Sequence, residues 1–74
     1  MESLQDVKIG DTYTISWMMC DPHTAEIMQS YELKEGIAVR VVGQYYGNVI
    51  LGVGEKRVAI GKEIAKEIKV SGYS

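Results

Sequence analysis

Ile37-Ala38-Val39-Arg40-Val41-Val42-Gly43-Gln44-Tyr45-Tyr46-Gly47-Asn48-Val49-Ile50-Leu51-Gly52-Val53 is the stretch that decides the fold. Its first half alternates, with Ile37, Val39 and Val41 on one side and Ala38, Arg40 and Val42 on the other. That period of two marks a half-buried strand. Gly43 stands where such a strand bends or bulges. Tyr46-Gly47-Asn48 reads as a hairpin turn, and Val49 to Val53 returns as the partner strand.

Downstream, Gly54-Glu55-Lys56 makes a turn into a short strand, Arg57 to Ile60, with Val58 and Ile60 inward. Gly61 to Lys66 reads as one helical turn carrying Ile64 and Ala65. Ile68 and Val70 form a last short strand, and Ser71 to Ser74 is expected to fray. Upstream, Lys34-Glu35-Gly36 is a turn and Leu33 drops into the core. A helix precedes it. Asp21 caps the free N–H groups, and Pro22 suits the first helical position because its missing N–H would be unpaired there. Thr24, Ile27, Met28 and Tyr31 fall on one face of this helix, which should end near Tyr31 or Glu32. Before it, Thr12 to Met19 is a strand: Tyr13, Ile15, Trp17 and Met19 alternate with Thr12, Thr14, Ser16 and Met18. Gly10-Asp11 supplies its leading turn.

The order is strand, helix, three strands, a helical turn and a strand. Many short strands with tight turns in so few residues imply a closed or nearly closed barrel, because closure removes edges a tiny sheet cannot protect. The fold expected is mainly β: a small SH3-like barrel with one inserted short helix and a single helical turn before the last strand.

The 74 residues make one domain, 1–74, with its core at about 4–70. An apolar share of 46% suffices for a compact core. A single cysteine, Cys20, allows no internal disulfide and, with a single histidine, His23, no zinc-finger framework. That cysteine count fits a reducing compartment. No signal-peptide layout or membrane-spanning run is present, so a cytoplasmic protein without direct membrane insertion is expected. Net charge is −2, split between a −5 balance over residues 1–37 and +3 over residues 38–74. The asymmetry is most simply two solvated faces, though it could orient the molecule toward a charged partner. Overall acidity, with only Tyr45, Tyr46, Arg40 and Arg57 as a supply of aromatic and basic groups, argues against nucleic acid as a partner.

Cys20-Asp21-Pro22-His23 is the one constellation with metal chemistry in its side chains. Cys20 and His23 are the candidate ligands for Fe²⁺ or Zn²⁺, above all between two chains. The simpler reading is preferred: Asp21 caps, Pro22 starts the helix, Cys20 packs and His23 is exposed. No cofactor is required and no metal site is assigned. Cys20 lacks an oriented base, the ten acids are scattered, and Gly52-Val53-Gly54 lacks phosphate-loop spacing, so the chain is read as no enzyme. For contact with a partner, four residues stand out. Met18 lies on the otherwise polar face of its strand beside Trp17, although Trp17 alternates with Tyr13 and Ile15 and is most simply core. Tyr45 and Tyr46 are neighbours on a strand, so one of them must be exposed.

The arrangement resembles the FeoA family over roughly residues 4–70. Leu4 and Gly10 stand before the first strand, Leu33-Lys34-Glu35-Gly36-Ile37-Ala38-Val39 matches the family's Leu-x-x-Gly-x-x-(I/V) turn, and Val58-Ala59-Ile60, Ala65 and Ile68-Lys69-Val70 complete the pattern. It departs at Ser30-Tyr31-Glu32, where members commonly carry an extra glycine. Gln44-Tyr45-Tyr46-Gly47-Asn48 replaces a Gly/Pro-rich tip, and Ile60 stands for a usual leucine. The resemblance implies a non-enzymatic cytosolic accessory protein that binds and supports or regulates FeoB, a membrane ferrous-iron transporter with a cytosolic GTPase domain. Similar domains end the metal-dependent repressors of the DtxR type. The alternative expectation is a transition-metal sensor or carrier using Cys20 and His23, as a metal-bridged dimer; a homo-oligomer is compatible with either.

Overall fold

The computed structural model describes residues 1–72. In chain order it comprises a short strand β1 (Glu2–Ser3), a 3₁₀ turn (Leu4–Asp6), β2 (Thr12–Met18), helix α1 (Pro22–Ser30), β3 (Ala38–Tyr45), β4 (Asn48–Val53), β5 (Lys56–Ile60), the helical turn α2 (Lys62–Ala65) and β6 (Ile68–Gly72). All pairings are antiparallel within one sheet of order β1-β6-β2-β3-β4-β5. The sheet rolls on itself, and the 3₁₀ turn packs against both β4 and β6, across the seam. Leu4, on that turn, is fully buried. It joins Ile15, Leu33, Leu51, Ile60 and Ile68 as the largest of the fully buried side chains, in a core that also holds Tyr13 and Met28. Among the described residues no polar or charged side chain is buried, so burial of apolar surface is the main source of stability. The fold is the expected SH3-like barrel with one inserted helix and a helical turn before its last strand.

Three local readings are corrected by the structure. Trp17 is not core: it is half exposed, because the β2–β6 register shifts between Ile15 and Trp17. The extra residue of this bulge reverses the in–out alternation, so Met18 turns inward and packs on the core instead of lying on the polar face. The apolar stripe of α1 is not buried as a stripe either. Met28 alone is buried, while Ile27 and Tyr31 are exposed. Finally, Ser71 does not fray. It pairs with Thr14 in β6, and its hydroxyl lies 2.6 Å from that of Ser16. Gly72 likewise pairs with Tyr13, and Tyr73 and Ser74 lie outside the described residues.

Other expectations hold. Asp21 Oδ1 accepts from the Thr24 N–H at 2.7 Å and Pro22 opens α1. The helix leaves through a Schellman arrangement: the Leu33 N–H donates to the Met28 carbonyl and the Glu32 N–H to that of Gln29. Met28 and Leu33 are both buried, which supplies the apolar contact such an exit favours. Glu32 occupies the left-handed position, φ +67°, that glycine usually fills. The strand β3 bulges between Val41 and Gly43, as its glycine predicts. Neither β1 nor the 3₁₀ turn is signalled by periodicity, since both are too short to show one.

Candidate partner-binding surface

Trp17 and Met19 each expose half of their surface. The bulge holds the indole outward beside Lys69, its cross-strand neighbour on β6. Met19 is fixed by its backbone N–H, which donates to the Glu67 carbonyl at 2.8 Å. Met18 is half-buried beneath the helix, in a hollow shared with Ala25, Gln29 and Leu33. An outward Trp on a bulge is a signal that alternation alone cannot carry. Only knowledge of the register shift finds it.

Tyr45 and Tyr46 crown the β3–β4 hairpin. Tyr45 pairs with Asn48, which leaves Tyr46-Gly47 as a two-residue turn. Both turn residues have positive φ, +49° and +87°, the type I′ geometry that matches strand twist. Tyr46 is 96% exposed and Tyr45 59%. The tip is rigid. Asn48 Oδ1 accepts the Lys62 N–H at 3.0 Å, capping α2 from the neighbouring strand β4 where Gly61 supplies no side-chain cap. Gln5 Nε2 donates to the Lys62 carbonyl, and Gln44 Nε2 to the Val7 carbonyl at 2.8 Å. A Cβ on Gly47 would lie 3.0 Å from Lys62 Cβ, so the turn sits directly against α2.

The structure does not merge the two pairs into one patch. Trp17 neighbours Lys69 on β6, and Lys69 neighbours Ser3 on β1. The 3₁₀ turn follows Ser3, and Gln5 within it reaches Lys62 beside Gly47. Two strands and that turn therefore separate the indole from the tyrosines. Ile27 and Tyr31, which the helical pattern sets on one face with Met28, are further exposed apolar groups.

Cys20 and His23 lie where α1 begins. Cys20 is half-buried, and burial, with the negative Glu67 and Asp21 beside it, pushes its thiol above the ordinary value. A thiol so held is a poorer nucleophile and yields less of the thiolate that binds metal. Asp21 is already engaged with Thr24, whose backbone N–H holds the carboxyl below its ordinary value. His23 is exposed in a shallow depression with Glu26, Ile27 and Ser30. Among the described residues no three His, Cys, Asp or Glu side chains converge as a metal-ion site. No helix among them is long and apolar enough to cross a membrane.

A curled antiparallel sheet with a helix inserted after β2 and a turn before β6 defines an SH3-like barrel domain of the kind found in FeoA proteins and in metal-dependent repressors. The chain belongs to the FeoA family: the FeoA domain model matches residues 2–72. A crystal structure of an iron uptake regulatory protein (FeoA) superposes with a TM-score of 0.84 at 25% identity, covering 97% of this chain and 96% of that one. The solution structure of the FeoA protein from Chlorobium tepidum superposes at 0.88 with 15% identity, over 97% of this chain and 70% of that one. A manganese-dependent transcriptional repressor superposes at 0.85 with 21% identity; 97% of this chain matches 41% of the repressor, so the likeness there is to one domain. No curated protein matches by sequence.

Proposed function

We propose that this protein is a non-catalytic accessory module that docks from the cytosolic side on a FeoB-type ferrous-iron transporter and supports or regulates it. The observation that carries the reading is the exposure of Trp17, Tyr45 and Tyr46 on a member of this family. Aromatic side chains of this kind dominate binding hot spots. Tyr46 adds a second argument. A left-handed backbone is costly for a bulky residue, and a side chain 96% exposed returns no packing to the barrel. The turn type accounts for the backbone, and the exposed ring is left free for a partner. The raised thiol of Cys20 fits a module without covalent chemistry.

Membranes carrying the matching FeoB should retain the purified protein, with and without a GTP analogue. Trp17→Ala and the pair Tyr45→Ala/Tyr46→Ala should each weaken retention by about tenfold or more, as loss of a hot-spot aromatic does. Cys20→Ala/His23→Ala should leave it unchanged. Retention that vanishes only in the Cys20/His23 variant, or no retention of the parent protein under either condition, would sink the proposal.

A further inference from the structure

We propose that the outer face of β3, β4 and β5 is a second docking surface, which receives an acidic, apolar, extended segment of another protein between Arg40 and Arg57. This does not rest on the transporter reading. Arg40 is paired with Gly52, and Gly52 in turn with Arg57, so the three form one row across three strands. Both arginines are exposed, since their neighbours Val39, Val41 and Val58 take the inward positions. One strand lies between them, which sets their Cα atoms roughly 10 Å apart, close enough for two long side chains to converge on one ligand.

Gly52 keeps the middle of the row open. A Cβ there would come within 3.4 Å of Val42 Cγ2 and 3.9 Å of Arg40 Cβ, filling the space between the arginines. Both arginines also line a groove of about 360 Å³ with Ile9, Gly10, Val41 and Val42. Its lining contains two guanidinium groups and no carboxylate. Ile9 stands 58% exposed at its side, an apolar wall with nothing packed over most of it.

Charge and shape together select the occupant. Guanidinium forks match carboxylates in bidentate fashion, and the lack of an acid in the lining leaves that role to the ligand. The walls of Ile9 and Val42 call for an apolar side chain beside the acidic one, which a phosphate or a nucleic-acid backbone does not offer. Two cations in a chain of net charge −2 are also too few for a polyanion, whose binding rests on many released counterions. In an extended segment residues i and i+2 share a face, so a carboxylate and an apolar side chain two residues apart reach the groove together.

The test is an amide-shift titration of the isotope-labelled whole protein. The probes are acetyl-Val-Ser-Glu-Ser-Val-amide, its glutamine counterpart acetyl-Val-Ser-Gln-Ser-Val-amide, an oligothymidine and inorganic phosphate. The acidic peptide should shift the amides of Val42, Gly43, Gly52 and Ala59, and the glutamine peptide should bind at least about tenfold more weakly. Arg40→Gln/Arg57→Gln should keep a folded spectrum and lose the shifts, while Trp17→Ala should retain them. Equal binding of the two peptides, shifts that persist in the double variant, no shift with the acidic peptide, or stronger shifts with oligothymidine or phosphate would each overturn the proposal.

Discussion

Glu32 shows what a single residue contributes at the exit of α1. It holds φ +67°, in the left-handed position that glycine usually fills at a helix exit. Left-handed backbone costs an L-residue about 1–2 kcal/mol, and glycine's greater freedom in the unfolded chain returns part of that. Glu32→Gly should therefore stabilise the protein by roughly 0.5–1 kcal/mol, seen as a higher urea midpoint at unchanged slope. An unchanged or lower midpoint would show that the glutamate side chain supplies a compensating contact. Asp21 gives the pH counterpart. Its carboxyl is held below the ordinary value chiefly by the Thr24 N–H, so the folded state binds the proton less well than the unfolded state does. The sign follows: the cap is at full strength above about pH 4 and is lost as pH falls through the lowered folded value. The Thr24 amide resonance should move over that acid range. In Asp21→Asn, which keeps an acceptor without a titrating charge, that movement should be absent. If both proteins respond alike, another group governs the helix start.

At the scale of elements, most of the architecture was legible because strands and turns announce themselves. The type I′ hairpin followed from Tyr46-Gly47-Asn48, and the β3 bulge from Gly43. The β2 bulge was not legible: Ser16-Trp17 contains no glycine, and the shift is fixed by partner strand β6, far away in sequence. That one missed register inverted the reading of both Trp17 and Met18, since a slip by one residue exchanges the faces of everything beyond it. The outward side of α1 was misread for a related reason. An i, i+3, i+4, i+7 stripe identifies a helix, but the way the helix leans on the barrel decides which part is covered. The Asn48 cap on α2 offers a clean test of an element held by another. Asn48→Ala should cost about 1 kcal/mol, the usual worth of a capping side chain, and should speed amide exchange at Lys62 specifically. Unaltered exchange at Lys62 would mean that another group satisfies the N–H.

For the whole molecule, barrel closure depends on the residues the sequence marked least clearly. Leu4 has no periodic neighbours to flag it, and only the family resemblance drew it out. Yet it is fully buried on a turn that touches both β4 and β6. Leu4→Ala should destabilise by about 2–5 kcal/mol, a large share of what a small domain possesses. Urea unfolding measures this directly. A loss under about 1 kcal/mol would show that the seam closes without that side chain. The candidate surface was legible only as a list of residues. Exposure depends on the closed barrel: strand alternation required one of Tyr45 and Tyr46 to be exposed, whereas a shared helix face could not show that Ile27 and Tyr31 stay uncovered beside Met28.

The helical turn α2 has one more consequence. Its first residue is tied to the hairpin through Asn48 and to the 3₁₀ turn through Gln5, and the chain just beyond it accepts the Met19 N–H through the Glu67 carbonyl. It is a strut between the tyrosine tip and the tryptophan end of β2. A partner touching both would meet two prongs at a fixed gauge, with little loop ordering left to offset on contact. Such a part measures its partner and does not adapt to it.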